Sequence, residues 1–389
     1  RFITRFARVY TPVVTGLAVL VAVVFPLFGG DWGIWLRRAL VFLVAACPCA
    51  LVLSIPLCFY AGIAAAARHG ILIKGGCFIE TIAKLTAVAL DKTGTLTTDA
   101  RTLTAVFTAD GVTEAEALQL AAAVERLSAH PTAKAICAAA GAEIVAPDVT
   151  ELAGIGVIGN IDGNEIACGG LRMLEKYGVQ EASLPDEWRG APVFLLRDGV
   201  PLAAFLMDAA LQEGADTVAA GLARVGITRL TVLTGDRRAE AERVAQAVGI
   251  GDVRAELLPE DKLAAVTAWQ AEGETVAFVG DGINDAPVLA AADLGVAMGL
   301  GSPAAIETAD AVLVAGGVAR LPQAIRLSRR VMRTVWENIA FSLAVKAVVL
   351  VLAVLGLAPM WAAAFADIGV MLLCVLNTLL ILSRGLVER

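Results

Sequence analysis

The chain has 389 residues, of which 58% are hydrophobic and only 18% charged, with a formal net charge of −7. Ordinary soluble domains hold roughly 45–50% apolar and about 25% charged residues, so this composition excludes a purely soluble enzyme, a disordered chain and a small disulfide scaffold. The acidic balance offers no basic surface for nucleic acid, and the odd count of 7 cysteines implies no disulfide framework.

In chain order, two long apolar runs come first, about Pro12 to Phe28 and Leu40 to Ala67. Two more close the chain, about Ile339 to Leu357 and Met360 to Leu382. A membrane-crossing helix needs about 20 such residues. The joints Gly29–Gly30–Asp31 and Leu357–Ala358–Pro359 are short, so each pair reads as a helical hairpin. Arg1, Arg5, Arg8, Arg68, Lys74, Arg326, Arg329, Arg330, Arg333, Arg384 and Arg389 flank one side of these spans. The positive-inside rule then predicts cytoplasmic termini and a cytoplasmic middle region, with Arg37 and Arg38 as exceptions. The first residue is Arg, and no cleavable signal peptide precedes the first run, which suggests a fragment.

Between the hairpins, short apolar runs (Ala87–Leu90, Val193–Leu196, Leu230–Leu233 and Val276–Val279) alternate with helical stretches. This alternation predicts an α/β architecture with a mostly parallel sheet. Residues from about Thr102 to Arg197 are helical early, then Gly-rich and strand-like, as in a domain inserted into another.

The strongest motif is Asp91-Lys92-Thr93-Gly94-Thr95-Leu96-Thr97, directly after the run Ala87–Leu90. A carboxylate at the C-terminal end of a strand faces the usual ligand crevice of an open α/β sheet. Asp91 is there placed to attack a phosphoryl group and carry it as an aspartyl phosphate. Thr93 lacks the carboxylate that would activate water, so the phosphoenzyme should persist. Thr234-Gly235-Asp236 follows the run Leu230–Leu233, and its hydroxyl is suited to a phosphate oxygen. Lys262 is suited to neutralise the transferred phosphoryl. Gly280-Asp281-Gly282-Ile283-Asn284-Asp285 follows the run Val276–Val279 and offers carboxylates for Mg2+, a hard ion that prefers oxygen.

These motifs, in this order, resemble those of P-type ATPases, and the resemblance covers nearly the whole chain. It implies an α-helical transmembrane region plus a cytoplasmic α/β haloacid-dehalogenase-like phosphorylation domain with an inserted α+β nucleotide-binding domain. It implies further that Asp91 is phosphorylated, that Asp281 and the Thr93 carbonyl bind Mg2+, that Thr234 and Lys262 contact phosphate, and that Asn284 and Asp285 belong to the same site. Ser128-Ala129-His130-Pro131 resembles the His-Pro of the heavy-metal subgroup, where the imidazole lies beside adenine. Glu125, Gly154, Gly156 and Gly169 match the remaining nucleotide-site pattern. The Gly154, Gly156, Gly159 spacing carries no weight as a dinucleotide fingerprint. Two departures stand out: Asp99, where glycine is common, and Leu211, three residues after Asp208, where the family often has Arg.

Cys47-Pro48-Cys49 interrupts the second span. Pro48 has no N–H, so the Val44 carbonyl loses its helical partner and the helix must open or kink there. Such a break is tolerated in lipid only where it is buried or lines a cavity. Thiolates flanking it favour soft or borderline ions. Lys346 and Asp367 lie inside the third and fourth spans, where charges are costly. They read either as a structural ion pair or as a third ligand, Asp367, with Lys346 as its charge partner. The set resembles the zinc, cadmium and lead exporters among P-type ATPases more than the copper exporters, whose later spans carry Asn-Tyr and Met/Ser residues.

The resulting expectation is ATP-driven export of Zn2+, Cd2+ or Pb2+, with ATP and Mg2+ as cofactors, in a bacterial plasma membrane. Residues 1–68 and 335–389 are the spans, 69–101 and 205–334 the phosphorylation domain, and 102–204 the nucleotide-binding domain. The Thr-Gly-Glu of the family's actuator domain does not occur in the sequence, nor do the family's upstream spans, so the chain alone is not expected to pump. The competing readings are a Cu+ exporter, a membrane-anchored haloacid-dehalogenase-type phosphatase and a non-catalytic metal-binding membrane protein.

Overall fold

The computed structural model describes residues 2–28, 31–47, 49–141 and 148–383. Its membrane part consists of the helices Phe2–Leu27, Trp32–Ala45, Cys49–Ala67, Leu321–Val354 and Met360–Ser383. Large apolar side chains such as Leu43, Val52, Val348, Val351 and Leu372 stay exposed on these helices, while small ones such as Ala50, Ala353 and Ala363 are buried between them. That distribution fits helices packed in lipid, where close backbone approach replaces a hydrophobic core.

One expectation is met here and one is corrected. The second apolar run forms two helices, ending at Ala45 and restarting at Cys49. The Ala46 and Cys47 N–H groups still reach back to Phe42 and Val44, so the first helix closes normally before the break. The third span begins well before Ile339: the helix starts at Leu321, because its Arg-rich first half buries Leu321, Ile325, Leu327 and Val331 against the α/β body.

The α/β body holds two sheets. Thirteen strands occur in chain order among the described residues: β1 Ile71–Ile73, β2 Ala87–Asp91, β3 Thr97–Thr108, β4 Asp148–Leu152, β5 Gly156–Ile161, β6 Asn164–Gly169, β7 Val193–Arg197, β8 Val200–Leu211, β9 Arg229–Leu233, β10 Asp252–Arg254, β11 Val276–Gly280, β12 Leu294–Met298 and β13 Ala311–Leu313. The first sheet has the order β1-β13-β12-β11-β2-β9-β10 and is parallel except for β1. Strands β2, β11, β12 and β13 are buried along their whole length, as expected where helices cover both faces of a parallel sheet.

The second sheet, β3-β8-β7-β6-β5-β4, is antiparallel throughout. The run Val193–Leu196, read from sequence as a parallel α/β strand, is β7 of this antiparallel sheet. Cores lie on both of its faces, so its buried run has the same continuous apolar pattern as a parallel strand. The long strands β3 and β8 pair with each other and carry the chain from one sheet to the other and back.

Candidate active site and membrane ion site

Asp91 is the last residue of β2, which lies between β11 and β9 in the middle of the parallel sheet. The neighbouring strand ends deliver Thr234 after β9 and Asp281 after β11, so the sheet topology gathers three motifs at one edge. Lys262 enters from the helix Pro259–Ala271. Its Nζ donates to Asp91 Oδ1 at 2.5 Å and to Asp285 Oδ1 at 2.9 Å, both carboxylates being buried. Carboxylate oxygens of Asp91, Asp281 and Asp285 lie within 4.8 Å of one another. Asn284 sits exposed in the short turn Ile283–Asp285.

The charge balance of this cluster is unusual. Burial, then the Asp285 carboxylate, pushes the Asp91 carboxyl up to about 7, and Lys262 offsets only part of that. Burial alone would lower the Lys262 ammonium, but Asp91 and Asp285 outweigh it and raise it. Lys262 thus meets two of the three clustered carboxylates, an environment that favours a further positive charge bound by oxygen. Gly94 has φ +68°, and a Cβ there would overlap the Asp281 carboxylate.

A second layer of contacts was not assigned from the sequence. Lys92, almost fully buried, pairs with Asp236 at 2.7 Å and Glu240 at 2.6 Å. Asp236 accepts from Thr234 Oγ1 at 2.9 Å and Thr93 Oγ1 at 3.2 Å. Burial would raise the Asp236 carboxyl, but the Lys92 ammonium and these hydroxyls hold it below its ordinary range. Asp236 thereby ties the two threonines into one rim beside Asp91. The signal available in sequence was the Thr-Gly-Asp order itself; the Lys92–Glu240 pair has none.

Glu125, His130, Gly154, Gly156 and Gly169, selected on separate segments, all line one cavity of about 740 Å³. His130 caps the helix Pro131–Ala140, and its Nδ1 is engaged by Thr132 Oγ1 at 2.6 Å. Burial raises the Glu125 carboxyl to about 7, with contacts to Cys168 and Ser128 working against it. Gly156 and Gly169 face each other across β5 and β6, and a Cβ on either would overlap the backbone opposite. Arg101, Arg237, Glu240 and Arg243 line the same cavity and were not selected from sequence. Glu240 links it to Lys92 and hence to the Asp91 cluster. Leu211, the departure from the family pattern, leaves Asp208 without an arginine three residues on; Arg243 pairs with Asp208 instead, at 2.7 Å.

In the membrane part, Lys346 and Asp367 are joined at 2.6 Å. Lys346 Nζ also donates to the carbonyls of Ala45, at 3.3 Å, and of Cys47. The ammonium thus occupies the carbonyls released by the helix break. Cys47 lies at that break; Pro48 and the Cys49 side chain lie outside the described residues, as does the side chain of Asp99.

The haloacid dehalogenase-like hydrolase family matches residues 85–293, more than half of the sequence. The chain belongs to that family. Its likeness to metal-transporting P-type ATPases extends further, through the membrane helices. It is 43% identical over 97% of its length to the cadmium, zinc and cobalt-transporting ATPase of Bacillus subtilis (strain 168). It is 39% identical over 99% of its length to the zinc/cadmium/lead-transporting P-type ATPase of Escherichia coli (strain K12). A solved zinc-transporting PIB-type ATPase superposes with a TM-score of 0.85 at 38% identity, covering 98% of this chain and 64% of that one. The chain spans about half the length of the two relatives, 55% and 53%. These likenesses bear out the resemblance to heavy-metal P-type ATPases, and with it an integral membrane chain whose α/β body carries the haloacid-dehalogenase-like fold.

Proposed function

We propose that this chain carries the phosphorylation, nucleotide and ion-binding parts of a pump that exports Zn2+, Cd2+ or Pb2+ from bacterial cytoplasm. The observation that carries the reading is the Asp91 cluster: a buried carboxylate at a strand end, held by Lys262 beside Asp281 and Asp285. The nucleotide cavity and the Lys346–Asp367 pair at the helix break support the coupling of that cluster to an ion.

In this reading ATP lies in the cavity of Glu125, His130, Gly154, Gly156 and Gly169, within residues 102–204. Asp91 attacks the γ-phosphorus, the bond to the bridging oxygen breaks, and ADP leaves. Lys262 and Thr234 stabilise charge on the transferred group. Asp91, Asp281 and the Thr93 carbonyl suit Mg2+, which supplies charge neutralisation at the phosphoryl oxygens. Thr93 and Asp236 fill the place where a water-activating carboxylate would stand free, because Asp236 is held by Lys92. Hydrolysis of the phosphoenzyme is therefore not assigned to these residues.

The transported ion, as substrate, takes Cys47, Cys49 and Asp367 as ligands. A carboxylate beside two thiolates suits a borderline divalent ion better than Cu+. When the ion leaves, Lys346 pairs with Asp367 and the carbonyls of the broken helix.

Phosphoenzyme formation tests the proposal. The chain in detergent is given labelled ATP and Mg2+ with Zn2+, Cd2+, Pb2+, Cu+ or chelator, with Asp91→Asn as the blank. Acid-stable label that needs Zn2+, Cd2+ or Pb2+ and is lost in Asp367→Ala is the expected result. Label that needs Cu+ overturns the ion assignment. Rapid hydrolysis of simple phosphate esters without label accumulation moves the chain to the phosphatases.

A further inference from the structure

We infer that the membrane helices hold a second site for a thiophilic divalent ion, built from Cys58 and Cys374 with Thr378 and Asn338. It lies on the α/β-body side of the Cys47–Lys346–Asp367 site. The inference rests on the ion-export reading and extends it to the route that the ion takes.

Three helices place polar groups in register between the two sites. On Leu321–Val354, Asn338, Ser342 and Lys346 recur every four residues; on Met360–Ser383, Asp367, Cys374 and Thr378 recur at seven and four; on Cys49–Ala67, Ser54 and Cys58 are four apart. Such spacings share one helix face. The eight residues from Lys346 to Asn338 correspond to about 12 Å along the axis. The helices Cys49–Ala67 and Met360–Ser383 pack on each other, and both contact Leu321–Val354, so the three polar faces form one seam.

At its far end the seam is a closed cluster. Cys58 Sγ and Thr378 Oγ1 are 3.1 Å apart. Asn338 Nδ2 donates to Thr378 Oγ1 at 3.3 Å, to the Cys374 carbonyl at 3.2 Å and to Cys58 Sγ at 3.6 Å. Ser342 Oγ and Cys374 Sγ are 3.4 Å apart. Cys58, Ser342, Cys374 and Thr378 are at most 1% exposed. Between the two sites, the fully buried Ser54 hydroxyl has no hydrogen-bond partner among the described residues.

Hydrogen-bonded glue between helices is the plain alternative, and hydroxyls and amides serve it well. Glue does not explain sulfur at two of the positions, since thiols make weak hydrogen bonds, nor an orphaned hydroxyl on the line to Asp367. Thiolates are soft ligands, and two of them match a divalent ion in charge. Binding releases the two thiol protons to solvent and leaves a neutral complex, which limits the cost of a charge in the membrane. Thr378 Oγ1 and the Asn338 amide or Cys374 carbonyl complete the oxygen side of the ligand set. An ion loaded here has a polar path to Asp367.

The test is Cd2+ stoichiometry by equilibrium dialysis on the detergent-solubilised chain, in a Cys77→Ser, Cys137→Ser background to remove two accessible thiols. Two tightly held Cd2+ per chain are expected. Cys58→Ser and Cys374→Ser keep a hydrogen-bonding oxygen but lose the sulfur. Each should abolish one bound Cd2+, together with thiolate-to-Cd2+ absorption, while Asp367→Ala keeps that ion and loses the other. If both serine variants bind as many Cd2+ as their parent, the cluster is glue and the inference is overturned. If the serine variants lose an ion but Asp367→Ala loses none, the second site stands and the Asp367 assignment fails.

Discussion

At Gly94 the backbone takes φ +68°, a conformation that an L side chain rarely adopts, and the space of a Cβ is already filled by Asp281. Gly94→Ala must therefore displace the Asp281 carboxylate or the loop that carries Asp91. A misplacement of about 1 Å costs on the order of 10²-fold in rate. The expected outcome is loss of phosphoenzyme by about that factor, with the far-ultraviolet circular dichroism unchanged. A different residue-scale effect belongs to Glu125, whose carboxyl rises from its ordinary 4.5 to about 7 by burial. A raised carboxyl favours the folded state in its neutral form. Its contribution is complete below 4.5 and is lost as pH climbs to about 7. Glu125→Gln should remove that slope and stabilise the antiparallel sheet at pH 8 by up to about 3 kcal/mol. Hydrogen exchange of the β5 and β6 amides, corrected for intrinsic rates, reads it locally. Asp91, Asp281 and Asp285 were legible in the sequence because each sits in a short motif beside an apolar run. Lys92, Asp236 and Glu240 were not, because their pairing depends on how β2, β9 and the helix Arg238–Ala247 are laid side by side.

The helix break at Ala46–Cys47 was also legible, since a proline between two cysteines removes a hydrogen bond wherever the helix runs. What holds the broken ends was not. Lys346, three hundred residues away, was readable as a charge partner of Asp367, but its bonds to the Ala45 and Cys47 carbonyls follow only from packing. Lys346→Met should therefore act on two groups at once. Without metal it leaves released carbonyls and a half-buried carboxylate uncompensated, a loss of about 2 kcal/mol. A bound Zn2+ compensates Asp367 in the variant, so Zn2+ should raise the melting temperature of Lys346→Met more than that of the parent chain. Equal Zn2+ shifts in the two proteins would show that Lys346 and the ion do not compete for Asp367. The strands tell a similar story of local signal and tertiary outcome. Runs at β2, β9 and β11 were found as strands and fell in the parallel sheet, whereas β7 was found as a strand and fell in the antiparallel one. A run buried on both faces reports burial, and the direction of its neighbours comes from the connections.

At the scale of the whole molecule, the helix Leu321–Val354 is the mechanical link between the two sites. It has 34 residues, roughly 50 Å of continuous helix. One half packs in the core of the parallel sheet through Leu321, Ile325 and Val331; the other carries Lys346. Arg329 fixes its lower half by donating to the carbonyls of Ala83, Leu85 and Val225. Those carbonyls close the C-terminal ends of the helices Gly76–Lys84 and Val218–Arg224, where unpaired acceptors and the helix dipole both favour a cation. One guanidinium thus clamps two helices of the α/β body to the membrane rod. Coupling between distant sites typically amounts to about 1–3 kcal/mol and requires a connected element that both sites bias. If this clamp carries it, Arg329→Leu should leave Cd2+ binding near its parent value. The stimulation of phosphorylation by Zn2+ should shrink about thirtyfold, the middle of that range. Arg329→Lys, which keeps the charge but loses the fork of donors, should recover only part of it. Arg326→Leu, on an exposed position one turn earlier, is the control and should change nothing. Equal loss in Arg326→Leu and Arg329→Leu would reduce the effect to surface charge near the membrane, and the rod would no longer be the route of coupling.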